Sequence, residues 1–121
     1  MLGNAPSSPA SIPWREVWPG VMTSVLVGKP KEEGSRFVLL CRTSVPLMME
    51  THCHRAEEHV TVLFGSLELG LGETSGEPRL QTLGPGSYAV IPAGVPHFMR
   101  YTAGTIVQIH GFGPFESFPA A

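Results

Sequence analysis

Residues 52–65 read His52-Cys53-His54-Arg55-Ala56-Glu57-Glu58-His59-Val60-Thr61-Val62-Leu63-Phe64-Gly65, and this stretch decides how the chain folds and what it can hold. In a strand, residues i and i+2 share a face, so His52 and His54 project together and Cys53 points away. Glu58 has the same parity as the two histidines, whereas Glu57 and His59 have the opposite one. If extended structure persists through Arg55-Ala56, Glu58 joins the imidazoles; a bulge there exchanges Glu57 for Glu58. From Val60 onward the stretch is an apolar, β-branched run of strand type.

A second stretch completes the set. Gly86 is followed by Pro92-Ala93-Gly94-Val95-Pro96 and then His97. Two prolines with fixed φ and a glycine free of that restriction make a tight, stiff turn, a device for positioning His97 from a different strand. His52, His54, Glu58 and His97 together supply three imidazoles and a carboxylate, the ligand set of a mononuclear transition-metal centre.

Outward from these stretches, short apolar or alternating runs recur at 21–27, 37–43, 60–71, 88–91 and 105–110. Turn chemistry separates them: Gly28-Lys29-Pro30, Glu33-Gly34-Ser35, Thr74-Ser75-Gly76, Gly84-Pro85-Gly86 and Gly111-Phe112-Gly113-Pro114. With 14 Gly and 12 Pro dispersed along the chain, no segment sustains helical periodicity between breakers. The layout is all-β, and short strands at close spacing predict a sandwich or closed barrel, since closure disposes of exposed edges. The domain organisation expected is a flexible N-terminal arm over 1–13, rich in Ala, Ser and Pro, and one barrel domain over 14–121.

Composition narrows the function. Eight Lys+Arg against ten Asp+Glu give a net charge of −2 without a basic cluster, which argues against nucleic acid and anionic membrane as partners. All ten acids are Glu, so a Ser-His-Asp triad and an EF-hand loop are excluded. No apolar run approaches the roughly 20 residues that cross a bilayer, and the N-terminus has no signal-peptide pattern. Cys41 and Cys53 form no C-x-x-C and no disulfide framework, so a reducing cytoplasm is the expected location.

The residues quoted above resemble the two motifs of the cupin superfamily. His52, His54, Glu58 and Gly65 match G(x)5HxH(x)3,4E(x)6G, and Gly86, Pro92, Gly94 and His97 match G(x)5PxG(x)2H(x)3N. Eight positions agree in type and spacing; Pro46 and Tyr101 stand where the motifs have Gly and Asn. The lead-in Trp18-Pro19-Gly20 and the closing Gly113-Pro114-Phe115 are also similar to those of small single-domain cupins. The resemblance implies a cupin-type jelly-roll β-barrel, a metal held inside it, and commonly a homodimer. One divalent transition metal per chain is expected, drawn from Fe, Mn, Ni, Co, Cu or Zn.

The leading functional reading is a metal-dependent enzyme of oxidoreductase or dioxygenase type, acting on a small organic substrate that chelates the metal through oxygen. The alternatives are a non-catalytic ligand-binding or sensor barrel, and a metal-assisted isomerase or lyase. The last needs a base, for which His110 or Tyr101 is the candidate. In the final run Ile106, Gln108 and His110 share a face; if that face is inward, Gln108 and His110 orient substrate or serve as acid and base. His59 faces outward, and Cys53 is neither ligand nor nucleophile. Phe64, Tyr88, Phe98, Met99 and Tyr101 are core by default, with one or two expected at the pocket mouth; Phe112, Phe115 and Phe118 cap the barrel or pack across a dimer, the cap being the reading preferred; and Trp14 and Trp18 anchor the arm to the barrel or to a partner subunit. Arg42 and Arg100 are the two arginines that could meet a substrate carboxylate.

Overall fold

The computed structural model describes residues 8, 10–72, 79–115 and 117–119. These form eleven strands: β1 (Arg15–Trp18), β2 (Val21–Val27), β3 (Arg36–Thr43), β4 (Leu47–His54), β5 (Glu58–Phe64), β6 (Leu67–Leu71), β7 (Arg79–Leu83), β8 (Tyr88–Ile91), β9 (His97–Tyr101), β10 (Ile106–Phe112) and β11 (Ser117–Pro119). One antiparallel sheet has the order β1-β2-β3-β10-β5-β8 and the other β11-β4-β9-β6-β7. From β3 onward the chain passes back and forth between the sheets, which is the jelly-roll path. Among the described residues no helix is long and apolar enough to cross a membrane.

The core lies between the sheets, because period-two alternation gives each strand one apolar face. Phe37 of β3, Val60 and Val62 of β5, Leu67 and Leu69 of β6, Met99 and Tyr101 of β9, and Val107 and Ile109 of β10 are all buried there. Each such apolar side chain contributes roughly 1.5–3 kcal/mol on burial.

The crossings decide where the site sits. The run 60–71 is not one strand: the chain leaves one sheet at Gly65 and re-enters the other at Leu67. Gly65 has φ +84°, and a Cβ on it would lie 2.5 Å from Thr105 Oγ1, so only glycine makes this crossing without strain. Thr105 is itself fixed there, with Ser66 N–H donating to its Oγ1 at 3.1 Å. Residues 55–57 carry the chain from β4 to β5 by a bend, and the 92–96 turn carries it from β8 to β9.

Several core expectations need correcting. Phe64, Tyr88 and Phe112 are exposed: they lie on the outward side of their strands or at strand ends, where alternation leaves them no core to enter. Met99 and Tyr101 are core residues as expected. Of the N-terminal arm, residues 1–7 and 9 lie outside the described residues; Ser11 and Ile12 N–H groups both donate to the Ser8 carbonyl, and Ile12 is buried. Trp14 lies against the Arg42 guanidinium, 4.6 Å from its ring centroid.

Candidate metal centre

Two crossings of the jelly roll, 55–57 and 92–96, meet at one end of the barrel, and the sequence-predicted ligands flank them. His52 and His54 are the inward residues at the end of β4, Glu58 opens β5 in the facing sheet, and His97 opens β9 opposite His52 in the strand register. A register shift in the β4–β9 pairing lies between Met49 and His52. It resets the inward parity of β4 from Leu47 and Met49 to His52 and His54.

One ring nitrogen from each of His52, His54 and His97 lies within 4.8 Å of the others, a group that can hold a metal ion. All three are buried, His97 fully. Glu58, 2% exposed, turns Oε1 toward them, 3.0 Å from His54 Nε2 and 3.5 Å from His97 Nε2. Glu58 arrives here even though the chain is bent, not extended, across residues 55–57. Glu57, the alternative, faces away and pairs with His59 Nε2 at 2.6 Å.

The backbone sets the tautomers. A carbonyl only accepts, so His52 Nδ1–H donates to the Glu50 carbonyl at 2.7 Å and His97 Nδ1–H to the Val95 carbonyl at 3.1 Å. The unprotonated Nε2 of each neutral ring is then the nitrogen available to a metal ion. The 92–96 turn is tied to β4 by Gly94 N–H donating to the His54 carbonyl at 2.8 Å, and Gly94 has φ +76°. The carbonyl that orients His97 thus belongs to a turn locked onto the strand carrying the other two imidazoles.

Glu58 Oε1 and His97 Nε2 are both buried without a hydrogen-bond partner. Buried polar atoms are rarely left so. A cation between them would satisfy both, and hard oxygen with borderline imidazole suits a divalent transition metal.

Burial lowers the pKa of His52, opposed by the Glu50 carbonyl and reinforced by the neighbouring imidazoles. Burial alone would raise the Glu58 carboxyl, but His54 and His97 outweigh it and hold it at about 2. Both directions favour the unprotonated forms that bind metal.

Phe115 stacks on the His54 ring at 4.9 Å and 25° and packs against Phe37 at 5.3 Å, closing the barrel beside the site. It was legible in the sequence only as a barrel cap; nothing there pairs it with His54. The side chain of Phe118 lies outside the described residues. A cavity of about 450 Å³ opens onto His52, His54 and Glu58, with Tyr101 and Cys41 also in its wall. Tyr101 donates its hydroxyl to Met99 Sδ at 3.1 Å, and burial pushes its pKa well above the ordinary tyrosine range. Burial likewise pushes the Cys41 thiol up to about 11.

Gln108 and His110 are not on the face of β10 that meets the inner cavity. Val107 and Ile109 are the inward residues of β10, so Gln108 and His110 point to the outer face. There they border a larger cleft, about 530 Å³, that touches none of the three site histidines. His110 stacks on His59 at 4.7 Å, and His59 Nδ1 is hydrogen-bonded to the Tyr88 hydroxyl. The three buried histidines and Glu58 converge at the inner end of the barrel, and not at the outer cleft.

No protein-family model matches the sequence, and none of the curated proteins does. Solved structures do match. KdgF from Halomonas sp. is 21% identical, with 90% of this chain and 92% of that one covered and a TM-score of 0.66. An RmlC-like cupin from Shewanella frigidimarina is 17% identical over 94% and 89%, with a TM-score of 0.68. A variant of oxalate decarboxylase from Bacillus subtilis is 19% identical over 92% of this chain but 31% of its own, with a TM-score of 0.67. Another structure of that decarboxylase concerns its Mn(II) centres. The fold of this chain is that of a small single-domain cupin.

Proposed function

We propose that this chain is a mononuclear metalloprotein, with His52, His54, Glu58 and His97 as ligands, and that it is an oxidoreductase of dioxygenase type acting on a small oxygen-chelating substrate. The observation that carries the metal assignment is the unpartnered pair, His97 Nε2 and Glu58 Oε1, 3.5 Å apart in a fully buried site. A buried carboxylate oxygen and a ring nitrogen this close repel as two bare acceptors, and a cation between them, or a shared proton in the metal-free protein, removes that repulsion.

When bound, a redox-active divalent ion supplies a Lewis acid for a substrate oxygen donor and a source of electrons for O₂. The chain's own contribution is positional. The Glu50 and Val95 carbonyls fix two imidazole tautomers, Phe115 backs the His54 ring, and the apolar cavity holds the substrate away from bulk water.

The dioxygenase reading is favoured over an isomerase or lyase because the latter needs a base near substrate. His110 is on the other face of its strand, and Tyr101 is held protonated with its hydroxyl donated to Met99. The cytoplasmic location belongs to the same proposal, supported by two free cysteines, as does the homodimer, supported by the exposed Leu63, Phe64, Tyr88 and Val90 on neighbouring strands.

Elemental analysis of protein purified without chelator, beside its His97→Ala and Cys53→Ala variants, tests the site. Near-stoichiometric transition metal is expected in the wild type and Cys53→Ala and not in His97→Ala. Metal content unchanged in His97→Ala overturns the ligand assignment. Oxygen uptake with small enols, diketones and catechols then tests the reaction; turnover without oxygen consumption overturns the dioxygenase part.

A further inference from the structure

Resting on the metal reading above, we infer that the inner cavity selects a neutral or monoanionic, otherwise apolar molecule and rejects dicarboxylates of similar size. Its walls are Val21, Leu39, Leu47, Met49, Met99 and Ile109, and the exposed part of its lining is Val17, Trp18 and Met48, 53%, 67% and 61% accessible. Beyond the ligand residues the polar groups are Thr23, Cys41 and Tyr101, and the Tyr101 hydroxyl is already given to Met99.

Among the described residues, no lysine or arginine lines the cavity. The two arginines that sequence left as carboxylate anchors are placed elsewhere: Arg42 lies over Trp14, and Arg100 pairs with Glu68 at 3.3 Å. Three neutral imidazoles and one glutamate leave a divalent ion with a single formal positive charge. One anionic oxygen donor neutralises that charge. A second carboxylate on the same molecule would meet methyl, thioether and indole surface, losing hydration without gaining a partner. Chelation through oxygen and an apolar body are therefore both required, and a distal acid group counts against binding.

Calorimetric titration of the zinc-loaded protein with benzoate and isophthalate tests this, with zinc content measured on the same sample. The two ligands share one rigid ring, so the second carboxylate of isophthalate cannot fold back onto the metal. Benzoate is expected to bind at least about tenfold more tightly. Met48→Arg, which adds a cation at an exposed wall position, is expected to raise isophthalate affinity several-fold while benzoate changes by less than about twofold. Equal or tighter isophthalate binding to zinc-replete wild type overturns the inference and leaves the metal site standing, as does failure of zinc-replete protein to bind benzoate. A Met48→Arg variant with no gain for isophthalate overturns the missing countercharge as the cause. Protein that takes up no zinc overturns the metal reading and this inference together.

Discussion

Glu58→Gln in metal-free protein probes whether the carboxylate and the imidazoles are coupled as their geometry requires. Glu58 is 2% exposed, so its interactions are little screened by solvent. Burial by itself would raise its pKa; the nearness of His54 and His97 outweighs that and takes it from 4.5 to about 2. The folded-state pKa lies below the unfolded one, so the unfolded chain binds more protons as the pH falls. The stabilisation is fully present above about 4.5 and is lost as pH drops toward 2. At about 1.4 kcal/mol per pKa unit it amounts to something on the order of 3 kcal/mol. For a chain of 121 residues this corresponds to a Tm difference on the order of 10 °C. Urea unfolding of chelator-dialysed wild type and variant, followed by tryptophan fluorescence at pH 7, 5 and 3, measures it. The variant should be the less stable at pH 7 by roughly that amount, with the gap falling to less than about half by pH 3. Burial lowers the pKa of His52 as well, and Glu58 partly opposes that lowering, so both proteins lose stability from about pH 6.5 downward and the variant loses slightly more. A gap that is the same at pH 7 and pH 3, or no gap at pH 7, would refute the coupling.

Gly65→Ala should cost about 2–5 kcal/mol, combining the left-handed backbone penalty with the clash against Thr105; a urea midpoint within error of wild type would show that the crossing does not depend on this glycine. His110→Ala and Gln108→Ala, both on the outer face of β10, should leave metal stoichiometry and benzoate affinity unchanged within about twofold; loss of either quantity would place the outer cleft in the function after all.

What the sequence revealed of this molecule follows from which questions local pattern can answer. His52 and His54 share a face because strand parity is a local property, and it holds even though the bulge at 50–51 had already inverted parity for Leu47 and Met49 upstream. Glu58 reached the site by a different route from the one parity assumed. The chain bends across 55–57 and changes sheet, so the facing sheet, and not continued alternation, turns its carboxylate inward. Parity cannot say which face of β10 is inside, because alternation is symmetric between the two faces until a partner sheet covers one. The facing sheet buries Val107 and Ile109, and that leaves His110 to stack on His59 outside.

The break at Gly65 was present in the motif as a glycine at fixed spacing, yet an apolar run from 60 to 71 hides it, since hydrophobicity does not register a change of sheet. β7, whose two leucines, Leu80 and Leu83, have opposite parity and stand among polar residues at a sheet edge, carries too little apolar signal to stand out. The contact of Phe115 with His54 joins residues 61 positions apart through the closing of the barrel, and no local rule reaches that far. That His52, His54, Glu58 and His97 come together was therefore legible because each is fixed by its own turn or strand, and the shape of the cavity was not, because it is made by the two sheets meeting. The selectivity proposed for the cavity accordingly rests on residues such as Leu39, Met48 and Met99, which are brought there by where the sheets place them and not by any motif they belong to.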